Sequence, residues 1–339
     1  MMDLQTLWFV LIAVLFTGYF LLEGFDFGVG MLLPILGKND TEKRVILNTI
    51  GPFWDANEVW IITAAGAMFA AFPDWYATLF SGFYLPMFLI LVGLIARIAG
   101  IEFRGKVHSA AKRNLCDGLI FAGSFLPAFM WGLIITNIVR GLPIDASKTM
   151  VGGLDVIFHP YALLGGLVAV VVFILHGALF LSLRTTDPLR LRAHRTAERF
   201  WFPAGMLLLI FSWLGRSQTH LFEGMGLVPG TLPLLAMLSF LFIPIALRIK
   251  NDQLAFISGS ATILFATVVA FEGLFPEIMP STLGKDLSLT IYNASSSPYT
   301  LKVMSVVALT LLPLVLGYQI YTYWVFRKRV TADALDGGY

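Results

Sequence analysis

The chain has 339 residues, 58% of them hydrophobic and only 13% charged, with a mean hydropathy of +0.81. An ordinary soluble domain carries roughly 25% charged residues, so the balance points to an all-α polytopic membrane protein. A net charge of +2, with its basic residues spread over short loops and forming no basic domain, gives no sign of nucleic-acid binding, and the single cysteine, Cys116, excludes an internal disulfide, a CxxCH haem attachment and an iron–sulfur cluster held by this chain alone.

MMDLQTLW, at the start of the chain, lacks a positive n-region and reads as the beginning of a retained helix. Nine apolar segments follow that are long enough, at about 1.5 Å per residue, to cross a hydrocarbon core about 30 Å thick. The first, residues 7–36, holds the glycine-rich EGFDFGVG, which predicts a locally irregular or tightly packed stretch. Segments 54–72, 76–100, 116–139 and 161–183 come next, then a short one at 200–216 and three more at 229–248, 254–275 and 301–326. Between them, the longest hydrophilic stretches, 140–160 and 276–300, are too small for a domain, so residues 1–339 read as one integral-membrane domain. No internal repeat is visible, which weakens a transporter reading.

Basic residues set an orientation. With the N-terminus outside, 17 of the 23 Lys and Arg residues fall on the inner side, among them Arg104, Arg113, Arg190, Arg199 and Arg329. Arg140, Lys148, Arg216, Lys285 and Lys302 stay on the other side, with Arg97 near a helix end. This asymmetry predicts an outer N-terminus, an odd helix count and a cytoplasmic C-terminus. Trp8 and Trp75 at the outer ends, and Trp201 and Trp324 at the inner ends, match an aromatic belt.

The acids gain meaning from depth. Glu23 lies about 22 Å along the first helix from Trp8, at 1.5 Å per residue, with Asp26 on nearly the same face. In GPFWDANEVW the second helix brings Asp55 and Glu58, also three apart, to a similar level, which His176 and Arg97 can approach. A charge at the centre of a bilayer is expensive, about 2.5–3.5 kcal/mol on insertion scales, so acids at such depth face a protein interior or a water-filled path. Four carboxylates at one level suit a proton relay. Structural readings stand beside it. Asp55 can be a helix N-cap with Glu58 closing a capping box, Glu23 and Asp26 can form an ion pair with Arg97, and Arg97 can snorkel to the inner surface. Gly24 and Gly28 form a GxxxG that suits close helix contact, and His176 suits a hydrogen-bonded interior histidine. Two other classes of protein fit parts of the pattern, a proton-coupled secondary transporter and a purely structural assembly subunit.

Five stretches carry a resemblance: LLEGFDFGVGMLLP, NTIGPFWDANEVWIITAAGAMFAAFP, FSGFYLPM, RIAGIEFRGK and MPSTLGKDLSLTIYNASSSPYTLKVM. Together with the helix order and the C-terminal YTYWVFRKRV they resemble subunit II of the cytochrome bd quinol oxidases over nearly the whole chain. One departure is Ala56, where the WDGN pattern of that family has glycine. The resemblance implies a multi-pass subunit of a bacterial plasma membrane that forms a heterodimer with a larger subunit I, with small accessory membrane subunits, quinol and lipid as further partners. Haems b and d belong to subunit I, and this chain carries no redox centre of its own; some members hold a structural quinone. The resemblance further implies a proton path at the positions of Asp26 and Asp55 and an apolar oxygen route past Trp60. The residues themselves agree on haem, because His176 is the one histidine well inside the bilayer and has no second ligand opposite it.

Overall fold

The computed structural model describes residues 3–219 and 230–334. Its helices are α1 (Leu4–Leu36), α2 (Asp40–Ile50), α3 (Trp54–Ala71), α4 (Pro73–Gly82), α5 (Tyr84–Arg104) and α6 (Ala110–Arg140), followed by the single turn α7 (Leu154–Ile157). After these come α8 (Pro160–Arg184), α9 (Leu189–Gln218), α10 (Thr231–Arg248), α11 (Asp252–Leu274) and α12 (Pro298–Val325). A two-stranded antiparallel hairpin, β1 (Glu277–Met279) with β2 (Leu289–Thr290), pairs Glu277 with Thr290 and Met279 with Leu289. Seven helices, α1, α5, α6, α8, α10, α11 and α12, are long and apolar enough to cross a membrane. α3 and α9 hold two further predicted segments and are more polar. The first turns of α3 include Asp55, Asn57 and Glu58, and α9 begins in a run containing Arg190, Arg192, Arg195 and Arg199.

Helix α1 is the central element, packed against α3, α6, α8 and α11, while α5–α6, α8–α9 and α10–α11 form helical hairpins. The stretch EGFDFGVG is regular helix, so tight packing, not irregularity, accounts for its glycines. An added Cβ on Gly28 would lie 2.8 Å from the Cα of Gly177 on α8, a separation that only two glycines allow. The predicted span 76–100 is divided between α4 and α5 at Phe83. Pro86 sits in the first turn of α5, where a missing N–H leaves no intrahelical bond unmade. Beside the break, a Cβ on Gly82 would meet the Met150 sulfur at 2.7 Å, so the connection gives room to the loop after α6.

The two long hydrophilic stretches join into one cap. Leu142 N donates to the Pro280 carbonyl and Thr282 N to the Leu142 carbonyl, both at 2.9 Å. Lys148 donates to Asp74 at 2.5 Å and to the Asn293 carbonyl at 2.7 Å. At the opposite end of the bundle, basic residues are paired. Arg104 binds Asp117 at 2.6 Å and Asp40 at 2.9 Å, Lys43 binds Asp117 at 2.8 Å, and Arg192 binds Glu42 at 2.7 Å. Trp8 and Trp75, expected in a lipid-facing belt, are buried against protein; Trp8 donates to the Leu301 carbonyl at 3.2 Å and to Ser305 Oγ at 3.0 Å. Trp324 is exposed, with the Arg327 guanidinium 4.5 Å above its ring.

Candidate functional site

Arg97 organises the polar centre of the bundle. Small residues carry it inward: α5 and α6 approach so closely that a Cβ on Gly93 would lie 2.8 Å from Pro127, and one on Gly123 would lie 2.6 Å from the Arg97 backbone nitrogen. Arg97 is 0% exposed, so it does not snorkel. Its Nη2 is paired with Glu58 Oε1 at 2.5 Å and with Glu23 Oε1, and its guanidinium lies 5.0 Å above the Phe27 ring. α1 and α3 therefore each present one glutamate to the same cation on α5.

Asp26 is also fully buried, but its partner is an amide. Asn57 donates from Nδ2 to Asp26 Oδ2 at 2.7 Å. The Asn57 Oδ1 accepts from the Tyr323 hydroxyl at 2.8 Å, and Gln319 Nε2 lies 3.5 Å from the same oxygen. Trp60 donates from Nε1 to Gln319 Oε1 at 2.9 Å. Its indole lies over Gly18, where a Cβ would come 2.9 Å from the ring carbon Cη2.

Of the four acids expected at one level, Glu23, Asp26 and Glu58 come together, and Asp55 stands apart. Asp55 is exposed, one turn outward from Glu58 on α3. It is not an N-cap: Phe53 occupies that position with no side-chain hydrogen bond, and Asp55 lies within the first turn. Ala56, next to it, is helical, so the position requires no glycine turn. His176 lies against α1 without joining the cluster. It donates from Nε2 to the Leu21 carbonyl at 3.0 Å and stacks on Phe256 with centroids 5.0 Å apart. That hydrogen bond and the stacking hold the imidazole as an interior histidine, with Nδ1 buried and unpartnered within the chain. Among the described residues, no three His, Cys, Asp or Glu side chains are grouped to hold a metal ion.

Sequence reasoning passed over Asn57, Gln319 and Tyr323. Asn57 stands between the two acids of WDANEVW, and Gln319 and Tyr323 are polar residues four apart on one face of an apolar helix, which was the available signal. Chemically, the cluster gathers three buried carboxyls near one guanidinium, two of them paired with it directly. With all four groups ionised it would hold two uncompensated negative charges, a costly state in a buried site. Glu23 Oε2, Asp26 Oδ1 and Arg97 Nε and Nη1 make no hydrogen bond within the chain, and such buried polar atoms are satisfied by water or by another chain.

Comparison with known proteins gives a consistent result. A family model described as cytochrome bd terminal oxidase subunit II matches residues 4–326. The chain is 44% identical to the cytochrome bd ubiquinol oxidase subunit 2 of Bacillus subtilis over 331 residues, covering 98% of each chain. It is 34% identical to the cytochrome bd-I ubiquinol oxidase subunit 2 of Escherichia coli K12 over 369 residues, covering 98% of this chain and 97% of that one. Among solved structures, a chain of the bd oxidase from Geobacillus thermodenitrificans superposes with a TM-score of 0.78 at 18% identity, covering 96% of this chain and 100% of that one, which establishes the fold.

Proposed function

Because the chain belongs to the cytochrome bd terminal oxidase subunit II family, we propose that it is the second subunit of a bacterial membrane quinol oxidase, paired with a subunit I that carries haems b and d. The haems supply the redox chemistry by which quinol is oxidised and dioxygen is reduced to water. This chain's own task is to bring protons to that reaction from the cytoplasmic side. One observation carries the reading: Glu23, Glu58 and Asp26 lie together with Arg97 and Asn57 in the bundle interior, where ionisable residues are costly and mark ion or proton paths.

The path begins at Asp55, on the exposed first turn of α3. Glu58 follows one turn inward, with its side chain 12% exposed, and shares Arg97 with the fully buried Glu23. Asp26 lies beside this pair and is oriented by Asn57, which donates to it. Trp60 forms the flank of this cluster, packed on Gly18, at the position where the family expectation puts an oxygen route. The nine predicted segments are read as nine spans, with the N-terminus outside and the C-terminus cytoplasmic. Pairing of Arg104, Arg192 and Lys43 at one end of the bundle supports that orientation. A groove of about 880 Å³ lined by Asn48, Glu102, Lys106, Tyr318 and Tyr321 opens between the end of α5 and α12 and has the size to admit lipid or the ring of a structural quinone.

The test is purification of the tagged chain with its partner, followed by a visible spectrum and oxygen consumption driven by quinol. Haem bands that co-purify with a larger subunit, together with slower turnover per haem in Asp26→Asn and Glu58→Gln, are expected. A chain that purifies without any haem-bearing partner from cells expressing both would overturn the assignment.

A further inference from the structure

Helix α12 hardly packs on the rest of the chain: Leu301 and Ser305 are its buried residues, both near its start. Close to its far end, nonetheless, two side chains four residues apart reach the polar centre. The Tyr323 ring stacks on Phe53 with centroids 4.3 Å apart and planes 8° from parallel, and its hydroxyl donates to Asn57 Oδ1. Gln319 approaches the same oxygen while accepting from Trp60. Just beyond, the chain is latched: Val330 N donates to the Arg184 carbonyl at 2.8 Å, and Arg329 bonds the Thr185 carbonyl at 3.0 Å and Asp252 at 2.9 Å.

These contacts decide which end of an amide meets Asp26. The oxygen and nitrogen ends of a carboxamide have nearly the same shape and opposite hydrogen-bonding character. With Oδ1 taken by the Tyr323 hydroxyl, Nδ2 is the end that faces α1, and it donates to Asp26. Without that hydroxyl the amide can turn over and present its oxygen, to which only a protonated Asp26 can bond. The charged or titratable groups around Asp26 are Glu23 on α1, Glu58 on α3, Arg97 on α5 and Tyr323 itself.

We propose that Tyr323, acting through Asn57, is a positioning residue for Asp26: α12 fixes the Asn57 amide so that Asp26 meets a donor, and the part Asp26 plays in the proton path depends on that orientation. The inference rests on the reading of the cluster as a proton path. Tyr323→Phe in the oxidase assembled with subunit I removes only the hydroxyl and keeps the ring on Phe53. The expected result is unchanged haem content and unchanged quinol KM, with kcat for oxygen consumption lower by roughly three- to tenfold, the worth of one hydrogen bond. Added to Asp26→Asn, the same change should have no further effect, as for groups acting in series. Asn57→Leu, which has no amide to orient, is the second variant, and Tyr323→Phe should be silent on that background too. Normal kcat in Tyr323→Phe beside an impaired Asp26→Asn would overturn this inference and leave the proton path standing. An equal additional loss on the Asp26→Asn background would also overturn it, since Tyr323 would then act elsewhere. Normal turnover in Asp26→Asn would remove the proton-path reading itself.

Discussion

At Arg97 a single guanidinium nitrogen faces glutamates from two helices, in an interior that offers no bulk water to share the charge. Removing one partner of a buried ion pair leaves the others stranded, at a typical loss of about 3–5 kcal/mol. Arg97→Gln should therefore sharply lower the yield of assembled complex, read as haem per unit of membrane protein, and Arg97→Lys should recover part of it. Recovery to the wild-type level by Arg97→Leu would show that the charge is dispensable. Asp55 makes the contrasting case. It is exposed in the first turn of α3, so its structural worth is the favourable placement of a negative charge at a helix N-terminus, about 0.3–1 kcal/mol. Asp55→Asn should leave assembly intact and lower quinol-driven oxygen consumption several-fold if the carboxyl delivers protons to Glu58. Equal turnover in the variant would reduce Asp55 to that small electrostatic role. The i,i+3 spacing of Asp55 and Glu58 was legible in GPFWDANEVW, but the bond from Tyr323 to Asn57, across 266 positions of sequence, was not.

Between elements, two contacts govern how the helices meet. Gly28 and Gly177 let α1 and α8 touch backbone to backbone, and the GxxxG of the sequence announced that approach without naming its partner helix. Gly177→Leu has no space to occupy and should cost at least the 1–3 kcal/mol typical of overpacking, lowering the thermal midpoint of the purified complex. An unchanged midpoint would mean that the helices can separate freely. The second contact is Asp252, at the start of α11, which accepts from Ser182 and Arg190 at 2.7 Å and from Arg329 at 2.9 Å. It joins α8, α9, α11 and the segment after α12. Asp252→Ala should release that segment, visible as faster protease cleavage near Arg327–Arg329 in inside-out vesicles, whereas wild-type cleavage kinetics would place the latch elsewhere. The division of the predicted 76–100 span into α4 and α5 escaped sequence reasoning because hydropathy runs unbroken through FSGFYLPM. Pro86 cannot bond the Gly82 carbonyl and ends the helix before it, and Gly82 leaves room there for Met150 from a distant loop.

For the molecule as a whole, the partition of basic residues makes a direct prediction about sidedness. Reporter fusions after Arg113 and Arg199 should read cytoplasmic, and fusions within 145–155 should read external; the reverse pattern would invert the direction of the proposed proton path. Composition alone determined that this chain belongs in a membrane, because 13% charged residues cannot cover a soluble surface of this size. Hydrophobic run length located the seven long apolar helices, since each helix satisfies its own backbone within lipid and needs no distant partner to form. The family, too, was readable from local blocks, and its model covers residues 4–326. Tertiary structure alone decided which acids share Arg97, that Asp55 stands outside the cluster, that Trp8 and Trp75 turn inward, and that α12 reaches back to Asn57. The physical reason is the same in each case. A helix's existence depends on neighbours three and four residues away, whereas the partner of a side chain depends on the rotation and approach of whole helices, which small residues such as Gly28, Gly93 and Gly123 set by packing.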